Sequence, residues 1–161
     1  MSLGTLQVDG DRRQLRFERT FDAPVDEVWS ALTEPERLAR WLAIGSIAEE
    51  PGGDVAFDFG EGGRISGVVL RRERPSLLEF EWRFSGETRS IVRFLLRADG
   101  TRTQLVLEHV ALGIDHAAGY AAGWHAHLDA LRDELEGGSG SWDERFADVL
   151  PSYRQAAEQL A

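Results

Sequence analysis

Apolar and polar positions alternate from the start of the chain. Leu6-Gln7-Val8 and Leu15-Arg16-Phe17-Glu18-Arg19-Thr20-Phe21 flank Asp9-Gly10-Asp11, and Asp-Gly between two alternating segments is a strong hairpin signal. The period then lengthens. Val25, Val28, Trp29 and Leu32 form a helical stripe behind Pro24, which suits a first helical position, with Asp26 and Glu27 in the first turn, where acids favour the helix dipole. A second short helix is predicted from Pro35, capped by Thr33 or Glu34. Leu38, Trp41 and Leu42 keep helical spacing up to Gly45.

From residue 45 to 112 the period is two, with glycine-rich or proline turns at Gly52-Gly53, Gly60 to Gly63, Arg74-Pro75, Ser85-Gly86 and Asp99-Gly100. This predicts an antiparallel meander. Val55, Phe57 and Phe59 oppose Asp54, Ala56 and Asp58, while Leu78, Phe80, Trp82 and Phe84 oppose Leu77, Glu79, Glu81 and Arg83. Ser90, Val92, Phe94 and Leu96 then oppose Arg89, Arg93 and Arg97, and Thr103, Leu105, Leu107 and His109 oppose Gln104 and Glu108. One face of the sheet is therefore aromatic and the other charged. Gly67 to Arg72 is apolar on both parities, and the pattern leaves that strand's orientation open.

Residues 117 to 136 carry the longest helical pattern, with Tyr120, Trp124, Leu128, Leu131 and Leu135 on one stripe. That helix is expected against the aromatic sheet face. Gly137 to Ser141 breaks it, and Trp142 to Ala161 reads as further helix, interrupted or restarted at Pro151.

Charge and composition narrow the function classes. The 161 residues include 18 basic and 28 acidic ones, a net charge of −10, which disfavours nucleic acid and anionic membrane surfaces as partners. All the basic residues are Arg. Cysteine is absent, so disulfides, thiolate nucleophiles and zinc-thiolate sites are excluded. No stretch resembles a signal peptide or a spanning segment, and a cytoplasmic location is expected. The chain holds no Gly-x-Ser-x-Gly elbow and no phosphate-loop pattern. Acids on the sheet strands fall on the outer parity, so facing carboxylates are not expected.

Two motifs carry a family resemblance. Arg19-Thr20-Phe21-Asp22-Ala23-Pro24-Val25-Asp26-Glu27-Val28-Trp29, followed by Pro35-Glu36-Arg37-Leu38 and Trp41, resembles the entry motif of one bacterial group. Gly123-Trp124-His125-Ala126-His127-Leu128 resembles its last-helix signature. The group comprises bacterial relatives of the C-terminal domain of the activator of the ninety-kilodalton heat-shock chaperone's ATPase, within the START-like (SRPBCC, helix-grip) superfamily. The resemblance implies an α+β helix-grip fold, in which a curved antiparallel sheet wraps a long C-terminal helix over a cavity for an apolar ligand. It implies no shared catalytic set and no cofactor. Residues 1–137 are expected to form the START-like domain, and 138–161 a linker and helical extension packed on that domain or on a partner, with a homodimer as one outcome.

Phe57, Phe59, Phe80, Trp82, Phe94, His109, Tyr120, Trp124 and His127 are the candidate ligand-binding residues. Each aromatic reads equally as core packing, because large rings can fill a cavity as well as line it. Tyr120 and Trp124 have polar handles that need partners if buried. His109 and His127 are either satisfied core histidines or the polar anchors of a pocket, titrating ordinarily near 6.5. His125 and His127 lie about 200° apart on a helix and cannot share one metal ion; His125 is expected at the surface beside Asp129. The leading reading is binding of a small hydrophobic or aromatic ligand. A cyclase, dehydratase or hydrolase on the same fold, with an inward histidine transferring protons, is the alternative; a third is a protein-interaction or co-chaperone-like module.

Overall fold

The computed structural model describes residues 2–161. Strands β1 (Thr5–Asp9) and β2 (Arg12–Phe21) form the opening hairpin, turning at Gly10 with φ 60°. Helices α1 (Val25–Thr33) and α2 (Pro35–Trp41) follow. Pro24 caps α1 from outside, one position before the helix, whereas Pro35 occupies the first turn of α2. The second helix stops at Trp41 instead of reaching Gly45, and Ile44–Ile47 pairs as edge strand β3.

Strands β4 (Asp54–Asp58), β5 (Arg64–Glu73), β6 (Leu77–Phe84), β7 (Ser90–Asp99) and β8 (Arg102–Leu112) complete the meander. The eight strands lie in the order β1-β2-β8-β7-β6-β5-β4-β3, every pair antiparallel. The α1–α2 pair thus carries the chain from one half of the sheet to its far edge. Register shifts between Arg13 and Leu15 and between Val69 and Arg71 interrupt β2 and β5, and such bulges bend strands and sharpen their twist. Gly67 sits where β5 presses on the Glu81 carbonyl, leaving no room for a Cβ.

The second of these bulges accounts for the ambiguous strand. Ile65 and Val69 face the core, and after the extra residue Arg72 shares the register of buried Leu78. Its guanidinium hydrogen-bonds the Ile47 and Ala48 carbonyls at 3.0 and 3.1 Å and lies over the Trp29 ring. A uniform period cannot describe a strand whose parity changes midway.

Helix α3 (Ala117–Glu136) lies on the inner face, as its stripe predicts, and ends at Gly137 with φ 77°. The outer face is charged, but it is not simply solvated. Glu79 and Glu81 are buried beneath arginines: Arg93 bridges Glu79 at 2.5 Å and Glu108 at 2.8 Å, while Arg83 and Arg89 hold Glu81. Burial alone would raise the Glu81 pKa, and the two guanidiniums outweigh it, holding the carboxyl below its ordinary range. Arg97 instead reaches Gln104.

The last helix, α4 (Trp142–Glu158), runs through Pro151 without the interruption its sequence predicts. Pro151 removes one backbone donor, but the carbonyl it would have served belongs to exposed Ala147, where water can replace it. Ser141 caps the helix by accepting from the Glu144 N–H, and Arg145 pairs with Asp133 of α3 at 2.8 Å. Tyr153 is fully buried between α4, α3 and the N-terminal segment, its hydroxyl accepting from Gly4 N at 2.7 Å and meeting His125 Nδ1 at 2.8 Å. His125 is consequently buried rather than at the surface, still 3.8 Å from Asp129. No helix among the described residues is long and apolar enough to cross a membrane.

Candidate functional site

A cleft of about 970 Å³ opens between the β4–β6 part of the sheet, α2, α3 and the start of α4. Its size falls at the upper end of the roughly 300–1,000 Å³ typical of small-molecule sites. Five of the nine candidate residues line it: Phe59, Trp82, Tyr120, Trp124 and His127. They form a continuous aromatic wall. Trp82 lies 5.9 Å from Phe59, 6.0 Å from Tyr120 and 5.5 Å from Trp124, and His127 is 5.9 Å from both Phe59 and Trp124, ring centre to ring centre.

The other four candidates stand behind that wall. Phe57, Phe80 and Phe94 are buried and pack against the backs of Trp82 and Trp124. They brace the lining rings without reaching the cleft. His109 is fully buried on β8, and its hydrogen bonds define its state. The Trp124 indole can only donate, so His109 Nδ1 accepts from it at 2.9 Å. The proton must then sit on Nε2, which meets Ser90 Oγ at 2.7 Å, and Ser90 passes its own proton toward the Trp82 carbonyl. Both ring nitrogens are used. Burial pushes the His109 pKa down to about 3, so it stays neutral and satisfied.

His127 has the opposite tautomer. Its Nδ1 lies 3.0 Å from the Trp41 carbonyl, an acceptor, so Nδ1 carries the proton. Nε2 is left with a lone pair and no protein partner among the described residues, on a ring that lines the cleft. Burial lowers the His127 pKa to about 4, partly opposed by the Trp41 hydrogen bond. At neutral pH the ring thus offers an acceptor, not a positive charge.

The polar part of the mouth joins Tyr120 and Trp82 to two residues that strand and helix periodicity does not mark, Glu87 and His116. Tyr120 Oη accepts from Trp82 Nε1 at 2.9 Å and donates to Glu87 Oε1 at 2.7 Å. Burial, then the Glu87 carboxylate, raise the Tyr120 pKa above its ordinary value. His116 lies 3.7 Å from Glu87 on the same rim. Trp142 and Phe146 of α4 stack 5.0 Å apart and close another side, with Trp142 5.3 Å from His127. The pairing of these two aromatics near the start of an amphipathic segment is the signal that could have pointed to them.

The arrangement of a bent antiparallel sheet around a long helix, with a cleft at one end of the grip, defines a START-like helix-grip protein. Residues 22–136 match the family model for Activator of Hsp90 ATPase homolog 1-like protein, and the chain belongs to that family. The crystal structure of CalU16 from Micromonospora echinospora superposes with a TM-score of 0.80 at 29% identity, over 96% of this chain and 95% of that one. The BPP1335 protein of Bordetella parapertussis gives 0.77 at 28% identity, over 92% and 87%. DynU16, a protein of the dynemicin biosynthetic locus, gives 0.72 at 30% identity; 81% of this chain covers 49% of its length. No curated protein matches the chain.

Proposed function

We propose that this protein binds a small, largely apolar aromatic molecule in the cleft between the sheet and α3. The observation that carries this reading is the cleft itself, lined by ring faces that fold-stabilising packing would have been free to fill. Phe59, Trp82 and Trp124 supply apolar contact area, and His127 Nε2 and the Tyr120–Glu87 pair supply the few polar contacts that fix a ligand's orientation. The likeness to DynU16, from a biosynthetic locus, supports a small-molecule occupant over a protein partner. Native mass spectrometry of the purified chain, followed by denaturing extraction, tests this reading. A co-purifying aromatic or apolar adduct supports it; a protein that stays free of adduct and takes up none from a panel of aromatic compounds contradicts it.

A second reading rests on His127. A neutral imidazole with a free Nε2 at the cleft wall can accept a proton from a bound substrate, in the manner of cyclase or dehydratase chemistry, though a pKa near 4 makes it a weak base at neutral pH. In this reading His127→Gln abolishes turnover of a bound substrate and leaves binding intact; turnover that persists in the variant removes it.

A further inference from the structure

The carboxylate of Glu87 differs from the other shielded glutamates of this chain; Asp129, equally shielded and also without a guanidinium partner among the described residues, does not line the cleft. Glu79, Glu81, Glu108 and Glu134, with side chains 7–16% exposed, each meet one or two guanidiniums. Glu87 is comparably shielded at 15%, lines the cleft, and meets none among the described residues. Its Oε1 is occupied by the Tyr120 hydroxyl at 2.7 Å. That hydroxyl already accepts from Trp82, so its single proton is committed to the carboxylate. The nearest basic group to Oε2 is His116 Nδ1 at 3.7 Å, beyond hydrogen-bonding length. An anionic oxygen with unused acceptor capacity therefore stands on an aromatic wall in a chain that supplies an arginine to each of those other four carboxylates.

The surroundings favour the same sign of ligand charge. Asp58, Glu61, Asp115 and Asp143 also line the cleft, and the one guanidinium among its lining residues, Arg40, is tied to Glu134 at 3.2 Å. Electron-rich ring faces of Trp and Tyr attract cations, more so when water is excluded. An anionic ligand would meet carboxylates with little basic compensation.

We propose that the occupant carries a protonated amine, seated between Glu87 Oε2 and the rings of Tyr120 and Trp82, with its apolar body along Phe59 and Trp124. This rests on the cleft being a ligand site, and the test separates the two claims. Naphthylmethylamine, naphthylmethanol and naphthoate share one apolar body and differ in charge. Calorimetric titration of the full chain at pH 7 should give the amine about ten-fold tighter binding than the alcohol, with the carboxylate weakest. Glu87→Gln keeps an acceptor for Tyr120 and should remove the amine's advantage over the alcohol, whatever it does to the affinity the two share. If the alcohol binds and the amine gains nothing, or its advantage survives in Glu87→Gln, the amine claim falls and the cleft reading stands. If none of the three binds, both fall.

Discussion

Trp124 Nε1 donates to His109 Nδ1 at 2.9 Å, and this bond decides which histidine is free to meet a ligand. It fixes the proton of His109 on the side of Ser90 and closes that ring off, leaving His127 as the imidazole of the aromatic wall. Trp124→Phe removes the donor while keeping most of the apolar surface. The buried Nδ1 is then unsatisfied, at a cost of about 1–3 kcal/mol. Urea unfolding of the variant should show that loss; unchanged stability would mean the bond does not hold His109 in place.

Acid should weaken the fold through the same histidines. His109 and His127 have folded pKa values lowered to about 3 and about 4, and His125 is also lowered by burial. Between those values and the unfolded value near 6.5 the unfolded chain binds more protons, so stability falls as pH falls. For fully buried His109 the loss at pH 5 is about 2 kcal/mol relative to neutral pH. Glu81, with its lowered pKa, contributes stability that is present above its unfolded pKa and lost as pH falls further. Urea unfolding at pH 7 and pH 5 checks this, and a stability that is flat over that interval would contradict buried neutral imidazoles.

The Tyr153 hydroxyl ties helix α4 to both α3 and the N-terminal segment. Tyr153→Phe leaves the Gly4 N–H and His125 Nδ1 without their partner and should cost about 1–3 kcal/mol. Protease nicking should then rise first in residues 137–141. A variant as stable and as resistant as the parent would show that α4 is held by its apolar contacts and the Arg145–Asp133 pair without this hydroxyl.

Gly123 separates binding from folding. It lines the cleft on α3, and a Cβ built there meets nothing nearer than Trp142 at 3.9 Å. Gly123→Leu should gain about 0.8–1 kcal/mol of helix propensity while its side chain fills the cleft. The expected result is a protein at least as stable as the parent that binds naphthylmethanol about ten-fold or more weakly. Equal affinity in a well-folded variant would place the ligand elsewhere.

Much of this architecture is legible in the chain because its signals are local. The Asp9-Gly10 turn, the stripe from Tyr120 to Leu131 and the alternation of β6 to β8 each express one backbone period, and the structure follows them closely. Where the period breaks, the reading stops. The bulge in β5 hides its orientation, and Pro151 suggests a break that an exposed carbonyl makes unnecessary. The cleft is only half legible for a different reason. Inward parity marks Phe57, Phe80 and Trp82 alike, and only the curvature of the sheet decides that Trp82 reaches the cleft while the other two brace it. Glu87 and His116 lie in connections with no period, and the roles of His109 and His127 depend on partners 15 to 86 positions away along the chain.

Binding in the cleft fixes where on the chain a ligand sits. Intermolecular nuclear Overhauser effects between naphthylmethanol and the isotopically labelled chain report this without a mutation. A ligand in the cleft gives contacts from the probe to the rings of Phe59, Trp82, Tyr120 and His127. Contacts confined to the outer surface around Ala56, Arg64 and Ser66, or no intermolecular contacts at saturating probe, would contradict binding in the cleft.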